Sequence, residues 1–103
     1  MEALEELRKQ LDEIDDQLVK LYEDRMRICA LVGKYKIKNG RKVMDRQRER
    51  EKLQDVESKV SLEYNKKGIR KLYKQLMSMS RRLQYRQFAQ AFLCVNIFGR
   101  KRG

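Results

Sequence analysis

The apolar residues of the first third of the chain fall at Leu4, Leu7, Leu11, Ile14, Leu18 and Leu21, then at Ile28, Val32 and Tyr35. Alternating steps of three and four mark a helix with one apolar seam. The spacing predicts a helix over residues 3–38, stopped by Asn39-Gly40. Gly33 lies inside it, where glycine costs about 1 kcal/mol relative to alanine, and marks a point of close helix–helix approach. A loop over 39–44 follows. Asp45 reads as an N-cap opening a second helix near Arg46, with Leu53, Val56 and Val60 on one face. Asn65-Lys66-Lys67-Gly68 reads as the next turn. A third helix is expected from Ile69 to Ala91, through Leu72, Tyr73, Leu76, Met77, Met79, Leu83 and Phe88. The expected fold class is all-α: three helices per chain, one of them very long. Residues 1–91 would form one helical domain and 92–103 a basic C-terminal tail.

The length of the first helix has a consequence. About 36 residues at 1.5 Å each span roughly 54 Å, whereas a compact chain of this size is only about 33 Å across. The chain cannot cover its own seam, so an intertwined homodimer is expected. The alternative is a break at Gly33 with the helix folding back.

Composition narrows the chemistry. There is no His, Trp or Pro among the 103 residues, so Ser-His and Cys-His catalysis and His-ligated zinc are excluded. Cys29 and Cys94 stand far apart, which gives neither a CxxC pair nor a disulfide framework and fits a reducing, cytoplasmic compartment. The acidic, amphipathic N-terminus is not a signal peptide, and no apolar run, Ala91 to Val95 included, is long enough to span a bilayer. No metal site and no cofactor are expected. The net charge of +11 is uneven: residues 1–24 hold nine acids and three bases, and residues 25–103 hold six acids and 23 bases. A basic body of this kind points to an anionic partner.

Two faults in the apolar pattern locate candidate chemistry. Arg25 occupies a seam position between Leu21 and Ile28, and Lys36 lies on nearly the same face three turns later. Ser80 and Gln84, one turn apart, interrupt the apolar stripe of the third helix. A cation in an apolar seam is costly unless it meets an anion. The ordinary readings are an ion pair between Arg25 and an acid such as Glu49, back-bonding of Ser80 to its own helix, and solvated surface positions for Lys36 and Arg8.

With these residues in view, the chain resembles the all-helical class of chorismate mutase over residues 4 to about 88. The resemblance is carried by Leu7-Arg8 with Asp12 and Ile14-Asp15, by Asp24-Arg25, by Val32-Gly33-Lys34-Tyr35-Lys36, by Val43-Met44-Asp45-Arg46-Gln47-Arg48-Glu49, and by Ser80 with Gln84. It implies an isomerase of aromatic amino acid biosynthesis, in the shikimate pathway, that rearranges the dianion chorismate to prephenate. It implies Arg8 and Arg25 as carboxylate clamps, for which a planar guanidinium is well shaped. Lys36 would meet a carboxylate and the ether oxygen, and Gln84 would donate to that oxygen from the other side. Glu49 and the Asp45 region would hold the ring hydroxyl, Ser80 would touch a carboxylate, and Arg48 would complete the cationic pocket. Lys36, Gln84 and Arg25 would be the catalytic set. The basic residues Lys71, Lys74, Arg81, Arg82 and Arg86 depart from the family pattern and are expected to stay clear of the site.

Arg8 and Lys36 are 28 positions apart on one helix, about 42 Å. One small molecule cannot touch both within a chain. If both serve one site, Arg8 comes from the partner, with the two first helices antiparallel and two equivalent sites per dimer. Two rival functions stand beside this one. An isochorismate pyruvate lyase would use the same clamps. A basic helical nucleic-acid binder would use the +17 balance of residues 25–103, although Asp45, Glu49, Glu51, Asp55 and Glu57 interrupt its most basic stretch.

Overall fold

The computed structural model describes residues 2–99. Their three α-helices are α1 (Glu2–Lys38), α2 (Arg46–Ser58) and α3 (Lys66–Gly99), with one 3₁₀ turn at Glu63–Asn65 before α3. The helix α1 passes through Gly33 unbroken, which removes the fold-back alternative. It ends where expected. Gly40 takes a φ of +62°, the left-handed region that glycine enters without steric cost. Arg41 N–H then reaches back to Lys36 O at 2.8 Å and Gly40 N–H to Ile37 O at 3.4 Å, a Schellman termination. This cap pins the backbone of Lys36. The helix α2 starts at its anticipated cap, with Arg48 N–H donating to Asp45 Oδ1 at 3.0 Å.

Two boundaries differ from the sequence reading. The turn before α3 falls at residues 60–62, and Gly68 lies inside the first helical turn. One glycine weakens a helix without ending it, and the 3₁₀ turn, closed by Asn65 N–H to Leu62 O at 2.9 Å, starts the helix earlier. At the other end, α3 runs through Ala91 to Gly99, because no breaker stands between them. The helix α3 therefore runs for 34 residues beside the 37 of α1. Residues 92–99 of the expected tail are helical, and residues 100–103 lie outside the described segment.

The packing is concentrated at one end of α1. Tyr22 meets Met79, Cys29 meets Ser80 and Gln84, and Ala30 meets Gln87. The pairs rise together along both helices, so α1 and α3 run in the same direction. Beneath them Val43, Leu53, Val56 and Met77 form a small buried core. Leu53 and Val56 are thus on the inner face of α2, as its pattern implied, while Val60 is half-buried beyond the end of that helix.

The rest of α1 stands free. Every side chain from Ala3 to Asp24 is exposed within the chain, including Leu4, Leu7, Leu11, Ile14, Leu18 and Leu21. The radius of gyration is 19.1 Å and the extents are 71 × 29 × 15 Å, against about 13 Å for the radius of a compact chain this long. The apolar seam exists, and no described residue of the chain covers it.

At Gly33, side chains of α3 press against the backbone of α1. A Cβ there would overlap the amide of Gln87 and sit 3.1 Å from Gln84 Cγ. Gln87 is held in place by donating to Ala30 O at 2.9 Å. We expect Gly33→Ala to lower stability by about 1–3 kcal/mol through overpacking, despite the better helix propensity of alanine. Urea denaturation measures this. Adding Gln87→Ala, which removes the overlapping amide, should recover much of the loss.

Candidate functional site

A cavity of about 160 Å³ opens where the last four turns of α1, the first two of α2 and the middle of α3 converge. Each helix supplies polar side chains at steps of three and four: Arg25, Cys29 and Lys36 from α1; Asp45, at the cap of α2, with Arg48, Glu49 and Lys52; and Ser80, Arg81 and Gln84 from α3. Val43 and Met77 contribute apolar wall.

The seam cation Arg25 is accommodated without a carboxylate. Its Nη1 donates to Ser80 Oγ at 2.9 Å and lies 3.7 Å from Cys29 Sγ. Its guanidinium carbon sits 5.9 Å from the centre of the Tyr73 ring, within cation–π range. Ser80 is buried, and its hydroxyl also bonds to Leu76 O at 2.9 Å. A hydroxyl has one proton. Spent on Leu76 O, it leaves the oxygen as acceptor toward Arg25 and toward the Cys29 thiol at 3.1 Å. Back-bonding and a cavity-facing role therefore coexist at Ser80. The Arg25–Glu49 ion pair does not form. Glu49 is instead paired with Arg81 across the α2–α3 interface.

Lys36 and Gln84 form the other half of the wall. The Lys36 ammonium donates to Val43 O at 2.8 Å and to Gln84 Oε1 at 3.2 Å. With its oxygen toward that ammonium, the Gln84 amide turns its nitrogen to Cys29 O at 2.9 Å. An ammonium has three N–H groups and a carboxamide two. Each group therefore keeps one donor beyond these bonds. Gln84 is 5% exposed, so both are set in a low-dielectric wall, where a fixed donor acts most strongly on developing charge.

The charges around the cavity are unequal. Arg25, Lys36, Arg48, Lys52 and Arg81 face Asp45 and Glu49. Lys52 is drawn to Asp55 at 3.3 Å, and Lys59 meets the same oxygen at 3.0 Å. The hydrogen bond from Lys59, then that from Lys52, holds the Asp55 carboxyl below its usual range. Among the described residues, Arg25, Lys36 and Arg48 have no carboxylate within ion-pair distance. The cavity lining therefore carries a net positive charge that an anion can meet.

Seven of the eight residues singled out from the sequence thus line one cavity: Arg25, Lys36, Asp45, Arg48, Glu49, Ser80 and Gln84. Arg8 does not reach it in this chain. It lies exposed on the free part of α1, about 25 Å from Arg25 along the helix axis. The expectation that Arg81 stays clear of the site is overturned, since it lines the cavity and pairs with Glu49. Cys29 and Lys52 were also missed. Helical spacing was the available signal: Cys29 is one turn from Arg25, Lys52 one turn from Arg48, and Arg81 adjoins Ser80 one turn before Gln84.

No helix among the described residues is long and apolar enough to cross a membrane. The family model described as chorismate mutase type II matches residues 7–85. No individually curated protein gives a significant match.

Proposed function

The chain belongs to the chorismate mutase type II family, and from that premise we propose that it rearranges chorismate to prephenate in the biosynthesis of phenylalanine and tyrosine. The observation that carries this reading is the convergence of Arg25, Lys36, Arg48, Glu49, Ser80 and Gln84, from three helices, on one cation-rich cavity.

The reaction is intramolecular: an ether C–O bond breaks as a C–C bond forms, with no atom gained or lost. It asks the protein for restraint and charge, not for a nucleophile. Arg25 and the Arg8 of a second chain hold the two carboxylates, with Ser80 and Arg48 adding contacts, so the substrate is kept in the compact, chair-like shape that is rare in water. As the ether bond lengthens, negative charge grows on its oxygen. The remaining N–H groups of Lys36 and Gln84 meet that charge, and they stabilise the transition state more than the ground state. Glu49, with Asp45 beside it, accepts the ring hydroxyl and fixes which face is presented. An acceleration of about 10⁶ requires about 8 kcal/mol, which these donors and clamps can supply in a water-poor pocket.

The site is completed by a second chain. Two antiparallel α1 helices bury each other's seams, and each delivers Arg8 to the other's cavity. The exposed apolar run from Leu4 to Leu21 and the span between Arg8 and Lys36 support this homodimer. The cysteines, both free, suit a cytoplasmic enzyme.

The direct test follows chorismate loss and prephenate formation by the purified chain, with isochorismate as the second substrate. Prephenate from chorismate is the expected product; pyruvate from isochorismate alone would move the assignment to the lyase. Turnover should be nearly flat from about pH 6 to 8, because the Gln84 carboxamide does not titrate. Asp55 adds no slope there. Its depressed carboxyl contributes stability above its unfolded value near 4, and that contribution is lost only as pH falls through the lower folded value. A steep change in kcat over this interval would assign the proton-linked step to another group.

A further inference from the structure

The proposed reading gives Arg81 no role. Arg81 is a third guanidinium on the wall, and it faces a carboxylate, Glu49, that a dianionic substrate must approach. The two side chains are 27% and 22% exposed, so their charges are only partly screened by water. Asp45, the other wall carboxylate, is occupied as the cap of α2. Glu49 has Asp45, Arg46, Arg48, Arg50 and Lys52 near it on its own helix, Arg25 and Lys36 across the cavity on α1, and Lys74 and Arg81 on α3. Of these, Arg81 alone is in ion-pair contact with it.

An ionised Glu49 is useful as an acceptor for a hydroxyl and harmful as a neighbour for two substrate carboxylates. Like charges forced together in a partly buried site repel strongly. We propose that Arg81 is a positioning residue of the rearrangement: by pairing with Glu49 it cancels the repulsion and aims the carboxylate, so that Glu49 can accept the ring hydroxyl of a dianion. Arg81 acts through Glu49 and need not touch the substrate. The inference rests on the mutase reading.

The test is steady-state kinetics of the full chain on chorismate, for the wild type, Arg81→Met, Arg81→Lys, Glu49→Gln and the double variant Arg81→Met with Glu49→Gln. Arg81→Met should raise KM about tenfold or more with a smaller change in kcat, because the bare carboxylate repels the incoming dianion. Arg81→Lys keeps the charge and should recover most of the affinity. In the double variant the repelling charge is gone, and KM should return to that of Glu49→Gln alone. A neutral-charge variant that keeps a donor, Arg81→Gln, carries the same comparison if Arg81→Met does not fold, as judged by circular dichroism. An unchanged KM in the neutral variants, or a raised KM that persists once Glu49 is also neutral, overturns the inference while leaving the mutase reading intact. A wild type inactive on chorismate overturns both.

Discussion

Replacing Gln84 by alanine should lower kcat by about 10²–10³, the usual effect of removing one fixed donor to a developing oxyanion, while the helical circular dichroism signal stays that of the wild type. The side chain is buried and makes only two bonds, to the Lys36 ammonium and to Cys29 O. Neither is needed to end a helix or close the core, so the loss should fall on turnover. A second substitution separates donor strength from space-filling. Glu at this position has nearly the same volume and can hold the Lys36 contact, but it donates only when protonated. Gln84→Glu should therefore be nearly inactive at neutral pH and gain activity as pH falls. The wild type, carrying an amide, should show no such gain. Equal pH profiles for the two proteins would place the critical donor elsewhere.

The second large effect is expected in a mixture of two crippled proteins. Arg8→Ala and Arg25→Ala should each fall below about 1% of wild-type kcat/KM, since each loses a carboxylate clamp. In a dimer that exchanges α1 helices, the site built around an intact Arg25 takes its Arg8 from the other chain. A heterodimer of the two variants then holds one wild-type site and one doubly deficient site. After joint unfolding and refolding at equal concentrations, half of the dimers are mixed, so about a quarter of wild-type activity should return. No recovery would mean that Arg8 serves the cavity of its own chain or serves none. Given that Arg8 lies exposed on the free end of α1, about 42 Å from Lys36, a contribution within one chain has no geometric route.

The seam of α1, its Schellman stop at Gly40 and the Asp45 cap were legible in the linear pattern because each depends on neighbours within one or two turns. The same holds for the polar interruptions at Arg25, Ser80 and Gln84, which stand out against an apolar stripe. Gly33 was legible as a point of close approach, although not which residue approaches; that proved to be Gln87 and the stem of Gln84. The end of α3 is not legible in the linear pattern, because helix propagation through Phe92 and Leu93 needs only the absence of a breaker, and a basic composition carries no stop signal.

What the order of residues could not settle was pairing between helices. An apolar seam gives Arg25 no acid of its own, and its partners are a hydroxyl, a thiol and an aromatic ring. Glu49 pairs with Arg81, a contact that exists only once α2 and α3 pack together. Periodicity assigns a side chain to a face of its own helix, which is a local matter of 3.6 residues per turn. Which face meets which depends on how the helices pack around Val43, Leu53, Val56 and Met77, and that is fixed by shape and volume summed over the whole chain.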